Sequence, residues 1–377
     1  MKYFHKIDFR KLDFVIIEIM TFLIAAGLYC IYQVEAISQA KDHLFTKQLL
    51  GFGLGTFLII IILFIDYQFI CKLSPLLYIT IVVILAITFK YGNYVNNVRR
   101  WIRIAGIPFQ PSELAKVILI VFLAYLCNVF SNKRKKFYPF FILALVTIIP
   151  IILILLEPHL SPCIVLLMIF CVIILVSGIS YKVILTILTV TAPIIAAVFI
   201  GVGIFHWNIP FIESYQITRV IDHLTSDDTV DSDGKYQQNQ SVAAIQSGGA
   251  YGKALDNDQD GLRNYAPIYS NESDFIFSVV GEEYGFVGCC IIILLYFIMV
   301  LRCLKIAAHA PDLMGRIICT AVSALFMFQA FINIGVATNI LPNTGMPFPF
   351  ISYGLTSLVS SMIAIALVLD VGLQRKY

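Results

Sequence analysis

Ten apolar runs, at about 13–33, 48–65, 74–90, 112–130, 138–156, 161–178, 182–205, 275–301, 314–338 and 352–371, take up most of this 377-residue chain. A helix needs about 20 mostly apolar residues to cross a bilayer, whereas a crossing β-strand needs about ten in alternation. The runs have the first length and no alternation. The expectation is an all-α polytopic membrane protein of about ten transmembrane helices, forming one integral membrane domain over 1–377. Composition agrees, with 59% hydrophobic and 13% charged residues, against about a quarter charged in soluble domains. A secreted disulfide scaffold, a nucleic-acid-binding module and an ordinary cytosolic enzyme are excluded. The net charge of +3 is too small to imply a polyanionic partner, and no nucleic acid is expected.

The nine cysteines lie in or beside apolar runs, and no C-x-x-C spacing occurs. They read as small apolar fillers of helices. Lys2, Lys6, Arg10 and Lys11 precede the first run without a convincing cleavage site, so that run reads as a retained span. Ten spans put both termini on one side. Fifteen Lys and Arg residues fall on that side, and the short loops of the other face hold six: Lys41, Lys47, Lys90, Arg99, Arg100 and Arg103. Cytoplasmic loops carry the excess of basic residues, so both termini are expected in the cytoplasm. The segment 206–274 then becomes a large extracytoplasmic loop between spans seven and eight. It holds eleven acidic residues against Arg219, Lys235, Lys253 and Arg263, a net −7. Within it Ser226–Asp233 looks solvated and mobile, and Gln237–Gln246 suits a short amphipathic helix stopped by Gly248 and Gly249.

Four of the six outer-face positives crowd between Lys90 and Arg103, against the topological trend. Arg99, Arg100 and Arg103 flank Trp101, an aromatic suited to the membrane interface. Arginine forks match phosphate oxygens bidentately, so a lipid pyrophosphate is the natural partner. Ordinary headgroup binding or carbonyl capping would use the same residues. Next comes Gln110-Pro111-Ser112-Glu113-Leu114-Ala115-Lys116, where Pro111 and Glu113 suit a helix N-terminus. Glu113 and Lys116, three apart, share a face. Ionisable residues inside a span usually face a polar interior and mark a site, although a structural pair would look the same. Glu157-Pro158-His159 interrupts the chain between two spans, with a histidine able to titrate near neutral pH.

Two tempting motifs fail. Gly248-Gly249-Ala250-Tyr251-Gly252-Lys253 lacks the spacing and the Ser or Thr of a nucleotide loop. Asp256-Asn257-Asp258-Gln259-Asp260-Gly261 begins like a calcium loop, but its twelfth position is Pro267 instead of glutamate. Asp274, in Asn271-Glu272-Ser273-Asp274-Phe275-Ile276-Phe277, is sharper. It stands where the polar loop enters a helix, with Glu282 and Glu283 about two turns on. A carboxylate at an apolar boundary has its pKa raised by desolvation, which suits a general base. A helix N-cap would account for the residue too. Leu341 through Gly354 is irregular backbone beside the membrane, tolerated only where buried in protein or lining a cavity.

These segments together resemble the shape, elongation, division and sporulation (SEDS) family of RodA-, FtsW- and SpoVE-like proteins. The matching stretches are Arg100-Trp101-Ile102, Gln110-Pro111-Ser112-Glu113 with Lys116, Glu157-Pro158, Gln237 to Lys253, Ser273-Asp274-Phe275-Ile276-Phe277 with Gly281-Glu282-Glu283, and Asn333 to Gly354. They occur in family order from about residue 10 to 372. Departures are His159, where the family has an aspartate, Ala254 and Asn339 for glycines, and Leu355-Thr356 for Gly-Ser. With Asp274 retained, the resemblance implies an active, divergent member.

The resemblance further implies a peptidoglycan glycosyltransferase. It would polymerise lipid II into glycan strands at the outer face of the bacterial plasma membrane, for elongation, division or sporulation. Its partners would be lipid II, the growing glycan strand, membrane lipids and a class B penicillin-binding protein transpeptidase. Asp274 would be the catalytic base, and Arg100, assisted by Arg99 or Arg103, the pyrophosphate clamp. Trp101, Glu113, Lys116, Lys253 and Ser352 would complete the substrate site. No cofactor is certain, and a divalent cation (Mg or Mn) could assist the leaving pyrophosphate. The competing readings are a lipid II flippase and a scaffold for cell-wall machinery.

Overall fold

The structure, a computed structural model, describes residues 9–38, 43–95, 98–104, 107–133, 136–157, 159–179, 233–254, 263–266, 268 and 271–374. The run at 182–205, residues 226–232 of the segment read as mobile, and 256–261 of the calcium-like motif with its twelfth position, 267, lie outside them. The helices are α1 (Phe14–Ser38), α2 (Leu44–Phe64), α3 (Tyr67–Tyr91), α4 (Pro111–Val129), α5 (Tyr138–Leu156), α6 (Leu160–Val176), α7 (Asp233–Ser247), α8 (Ile276–Ala308), α9 (Leu313–Ala337) and α10 (Leu355–Leu373). Among the described residues eight are long and apolar enough to cross a membrane, and α6 is a ninth, shorter apolar helix of 17 residues. The chain is a multi-pass membrane protein.

Burial sorts the helices. α4, α9 and α10 form the centre, and almost every residue of α10 from Thr356 onward is buried. α2 packs along α10, α3 along α4 and α8 along α9. The outward faces of α2, α3 and α5 remain apolar, as Phe57, Ile79 and Phe141 illustrate. A bilayer satisfies such a surface, whereas water would not.

One end of the bundle is tied by carboxylates. Asp66 caps α3 by accepting from Gln68 N (2.8 Å), and Asp312 caps α9 by accepting from Gly315 N (2.8 Å). Asp370, inside α10, accepts from Tyr67 N at 2.6 Å. The opposite end carries structure absent from the sequence reading. Between α3 and α4 the chain folds into a small antiparallel sheet, β1 (Asn93–Val95), β2 (Val98–Ile104) and β3 (Ile107–Phe109), in that order. Its β-branched and aromatic residues explain the choice of strand. Trp101 pairs with Asn93, and Ile102 with Phe109.

At this same end α7 lies on α8 and α9. Gln238 Nε2 donates to Val336 O (3.1 Å) and Leu341 O (2.8 Å), and Ser241 Oγ donates to Ala337 O (2.7 Å). These carbonyls finish or follow α9, where helical partners run out. The helix expected at Gln237–Gln246 is therefore present, and its polar side caps another helix. α8 is broken at Gly285, whose φ of 68° and ψ of −167° belong to a region essentially reserved for glycine. The turn after α7 fills the break: Phe286 N donates to Gly249 O (2.9 Å), Val287 N to Ala250 O (3.1 Å) and Lys253 N to Glu282 O (2.9 Å).

Candidate active site

The N-terminal ends of α4 and α6, strand β2, and the segments 271–275 and 341–354 all meet at the sheet end. Pro111 opens α4 with Glu113 in its first turn, as its residue order predicts. Glu113 and Lys116 are buried and form an ion pair at 2.7 Å. Two charges withdrawn from solvent are tolerated because each answers the other. The preceding Gln110 joins neighbouring elements: its N–H donates to Thr356 Oγ1 (3.1 Å), and its Nε2 lies 3.5 Å from His159 Nδ1.

β2 divides the arginine cluster. Successive strand residues face opposite ways, so Arg100 lies on one face and Arg99 and Arg103 on the other. Arg100 Nε donates to Glu157 O at 3.2 Å, Arg99 Nη1 donates to Lys90 O, and Arg103 is exposed. A loop would have let the three converge; the strand points Arg100 alone toward the Glu157–His159 turn. Trp101, partly buried, shares the face of Arg99 and Arg103.

Glu157 ends α5 and His159 precedes α6. Burial pushes the Glu157 carboxyl up to about 8, and the nearby Arg100 only partly offsets it. His159 is held well below 6.5, by burial first and then by Arg100 and Lys116. Both groups are neutral near pH 7 for the same reason, since burial penalises the charged form. Two residues beyond His159, Ser161 Oγ donates to Thr344 O, joining α6 to the segment 341–354.

Asp274 faces that segment. Gly345, at φ 67°, turns the chain so closely that a Cβ there would lie 3.3 Å from Asp274 Oδ2. Asn333 Nδ2 donates both to Asp274 O (2.9 Å) and to Met346 O (2.7 Å). Ser352 Oγ accepts from Phe348 N (2.8 Å) and donates to Ser273 O (2.6 Å), and Tyr353 N donates to Glu272 O (2.8 Å). Ser352 thus ties the strand of chain that bears Asp274. The N-cap position of α8 is Phe275, whose own side chain makes no capping hydrogen bond, and Asp274 stands one residue before it. Asn333 and Gln48, which donates to Ser352 O (3.0 Å), escaped the reading of individual residues. Their signal was present as amides inside apolar runs.

Lys253 has a different setting. It pairs with Glu282, which also accepts from Asn264 N (2.9 Å) and Tyr265 N (3.0 Å). Glu283 pairs with Arg263 (3.0 Å) and accepts from Tyr265 Oη (2.9 Å). The two glutamates therefore anchor the end of the polar loop just before Asp274. No set of three or more His, Cys, Asp or Glu side chains fit to hold a metal occurs among the described residues.

Residues 12–377 match the family described as Cell cycle protein (FtsW, RodA, SpoVE). The chain is 28% identical to the probable peptidoglycan glycosyltransferase FtsW of Trichlorobacter lovleyi over 367 residues, covering 95% of this chain and 92% of that protein. It is 29% identical to the stage V sporulation protein E of Bacillus subtilis over 378 residues, covering 97% and 98%. Its fold is similar to a chain of a solved peptidoglycan synthase complex, with a TM-score of 0.78, 25% identity, and coverage of 96% and 97%. This helical bundle, with a small sheet and a polar site built at one end and matched to the family over residues 12–377, belongs to the SEDS family of FtsW, RodA and SpoVE.

Proposed function

We propose that this protein polymerises lipid II into glycan strands at the outer face of the bacterial plasma membrane, beside a class B penicillin-binding protein that cross-links them. The observation that carries the reading is that Asp274, Arg100 and the Glu113–Lys116 pair all lie at the sheet end of a bundle whose residues 12–377 match the family. Support for the partner comes from the likeness to a chain of a peptidoglycan synthase complex. Asp274 takes the proton from the acceptor sugar hydroxyl as that oxygen attacks the anomeric carbon of the donor. The configuration inverts, and undecaprenyl pyrophosphate leaves toward Arg100. Glu113 and Lys116 order the surrounding polar wall, and Ser352 holds the base segment. Lys253 acts through its pairing with Glu282, fixing the loop that leads to Asp274. Among the described residues no three His, Cys, Asp or Glu side chains group to hold a metal, and each step above uses the chain's own side chains.

Asp274→Asn tests the reading because it preserves shape while removing the base. A positioned general base contributes about 10²–10⁴-fold to rate. Glycan synthesis by purified protein from lipid II should fall by about that factor with folding and partner binding retained. Near-normal synthesis would return the function to a flippase or a scaffold.

A further inference from the structure

The carboxyl group of Glu157 is a buried part of the site that the fold leaves unanswered at both oxygens. Its residue is only 1% exposed, yet neither Oε1 nor Oε2 has a hydrogen-bond partner. Buried polar atoms are almost always partnered, and an orphan calls for an absent ligand, water or ion. The side chain sits on the turn whose main-chain carbonyl is held by Arg100. Thr344 Oγ1 and Ser112 Oγ are also buried without partners. They belong to the segment bonded by Ser161 and to the first turn of α4. Three orphans on three converging elements describe a place prepared for a polar ligand.

Charge indicates its class. The groups facing this turn are Arg100 from β2, Lys116 paired with Glu113 from α4, Cys163 from α6 and His159 on the turn itself. Arg100 and Lys116 both act on His159, and since Glu113 answers Lys116 the positive group left beside the turn is Arg100, which favours an anionic ligand. His159, neutral, replaces the anionic aspartate of the family resemblance and leaves Glu157 as the carboxyl on the turn. An acid that keeps its proton up to about pH 8 is a hydrogen-bond donor under ordinary conditions.

We propose that Glu157 is a further substrate-contacting residue, donating its carboxyl hydrogen to a phosphate oxygen of the lipid pyrophosphate that Arg100 grips. This rests on the glycosyl-transfer reading. Glu157 moves no proton in the reaction; it binds the leaving group, and ionising it would turn a donor into a repelling charge.

The test is equilibrium binding of undecaprenyl pyrophosphate to the full-length protein in detergent, across about pH 6.5 to 9.5, for wild type, Glu157→Leu and Glu157→Gln. A lost hydrogen bond to a charged group predicts Glu157→Leu weaker by about tenfold at neutral pH. Wild type should weaken above about pH 8. Glu157→Gln restores a donor that cannot ionise, so binding should recover and the alkaline loss should vanish. The probe's own titration is common to all three proteins. A folded Glu157→Leu that binds like wild type would overturn the proposal, as would a Glu157→Gln that keeps the wild-type alkaline loss. If Glu157→Leu fails to fold, the pH slope of Glu157→Gln decides alone. Wild type that binds the probe but makes no glycan from lipid II would sink the glycosyl-transfer reading while leaving the Glu157 contact standing; wild type that binds nothing would sink both.

Discussion

Arg100 uses its Nε on a main-chain carbonyl, so its place depends on the fork and not only on the charge. Lysine at this position keeps the charge without the planar donor set. Arg100→Lys should weaken lipid II use by about tenfold with normal folding, read as a rise in apparent KM; an unchanged value would leave the arginine an ordinary headgroup contact. Glu157 and His159 give opposite pH signatures. The folded chain keeps the Glu157 proton up to about 8 while the unfolded chain releases it near 4.5, so stability falls as pH rises between those values. His159 resists the proton that the unfolded chain accepts below 6.5, so stability falls as pH drops through that value. Melting temperatures should show Glu157→Gln losing the first slope and His159→Gln losing the second. The charged members of this site were legible in the sequence because charges beside apolar runs are rare and need a reason. The isolation of the Glu157 carboxyl was not, since burial without a partner arises only when α5, α6 and the sheet have packed.

The crossing helices were legible for the same reason of solvent, as only a long apolar helix satisfies its backbone in lipid. The elements that shape the site were less so. The sequence places the β2 residues in a short outer loop, with Arg100 as the clamp and Arg99 or Arg103 assisting, because seven residues beside an irregular stretch carry little periodicity. The break in α8 was likewise hidden, since Gly285 is one glycine among several in that run. Its consequence is open to test. An added Cβ at Gly285 would lie 2.3 Å from Gly252 N and 2.7 Å from Ala250 C, and its backbone angles are costly for any L-residue by about 1–3 kcal/mol. Gly285→Ala should lower the melting temperature and detach the Gly249–Lys253 turn, visible as faster amide exchange at Phe286 and Val287. Unchanged exchange there would mean that the turn holds without the break.

Over the whole molecule, the placement of the site fixes which side of the membrane does the chemistry. The expected orientation puts the sheet end outside, on the strength of fifteen basic residues against six. Single cysteines at Asn239 and Asn132, both exposed and at opposite ends of the bundle, in a cysteine-free background should react oppositely with an impermeant reagent. Labelling of Asn132 from outside would reverse the orientation and every role given to the sheet end.

The break at Gly285 also divides α8 by task. The whole helix, 33 residues long, would measure about 50 Å if straight, well beyond a hydrocarbon layer of about 30 Å. The part after the break, 286–308, is long enough to cross by itself. Residues 276–284 are then free of the span's length requirement, and they follow directly from Asp274. A protein refitted to a thicker bilayer would need extra turns only beyond Gly285, in register with its neighbours, while the chemistry kept its own dimensions.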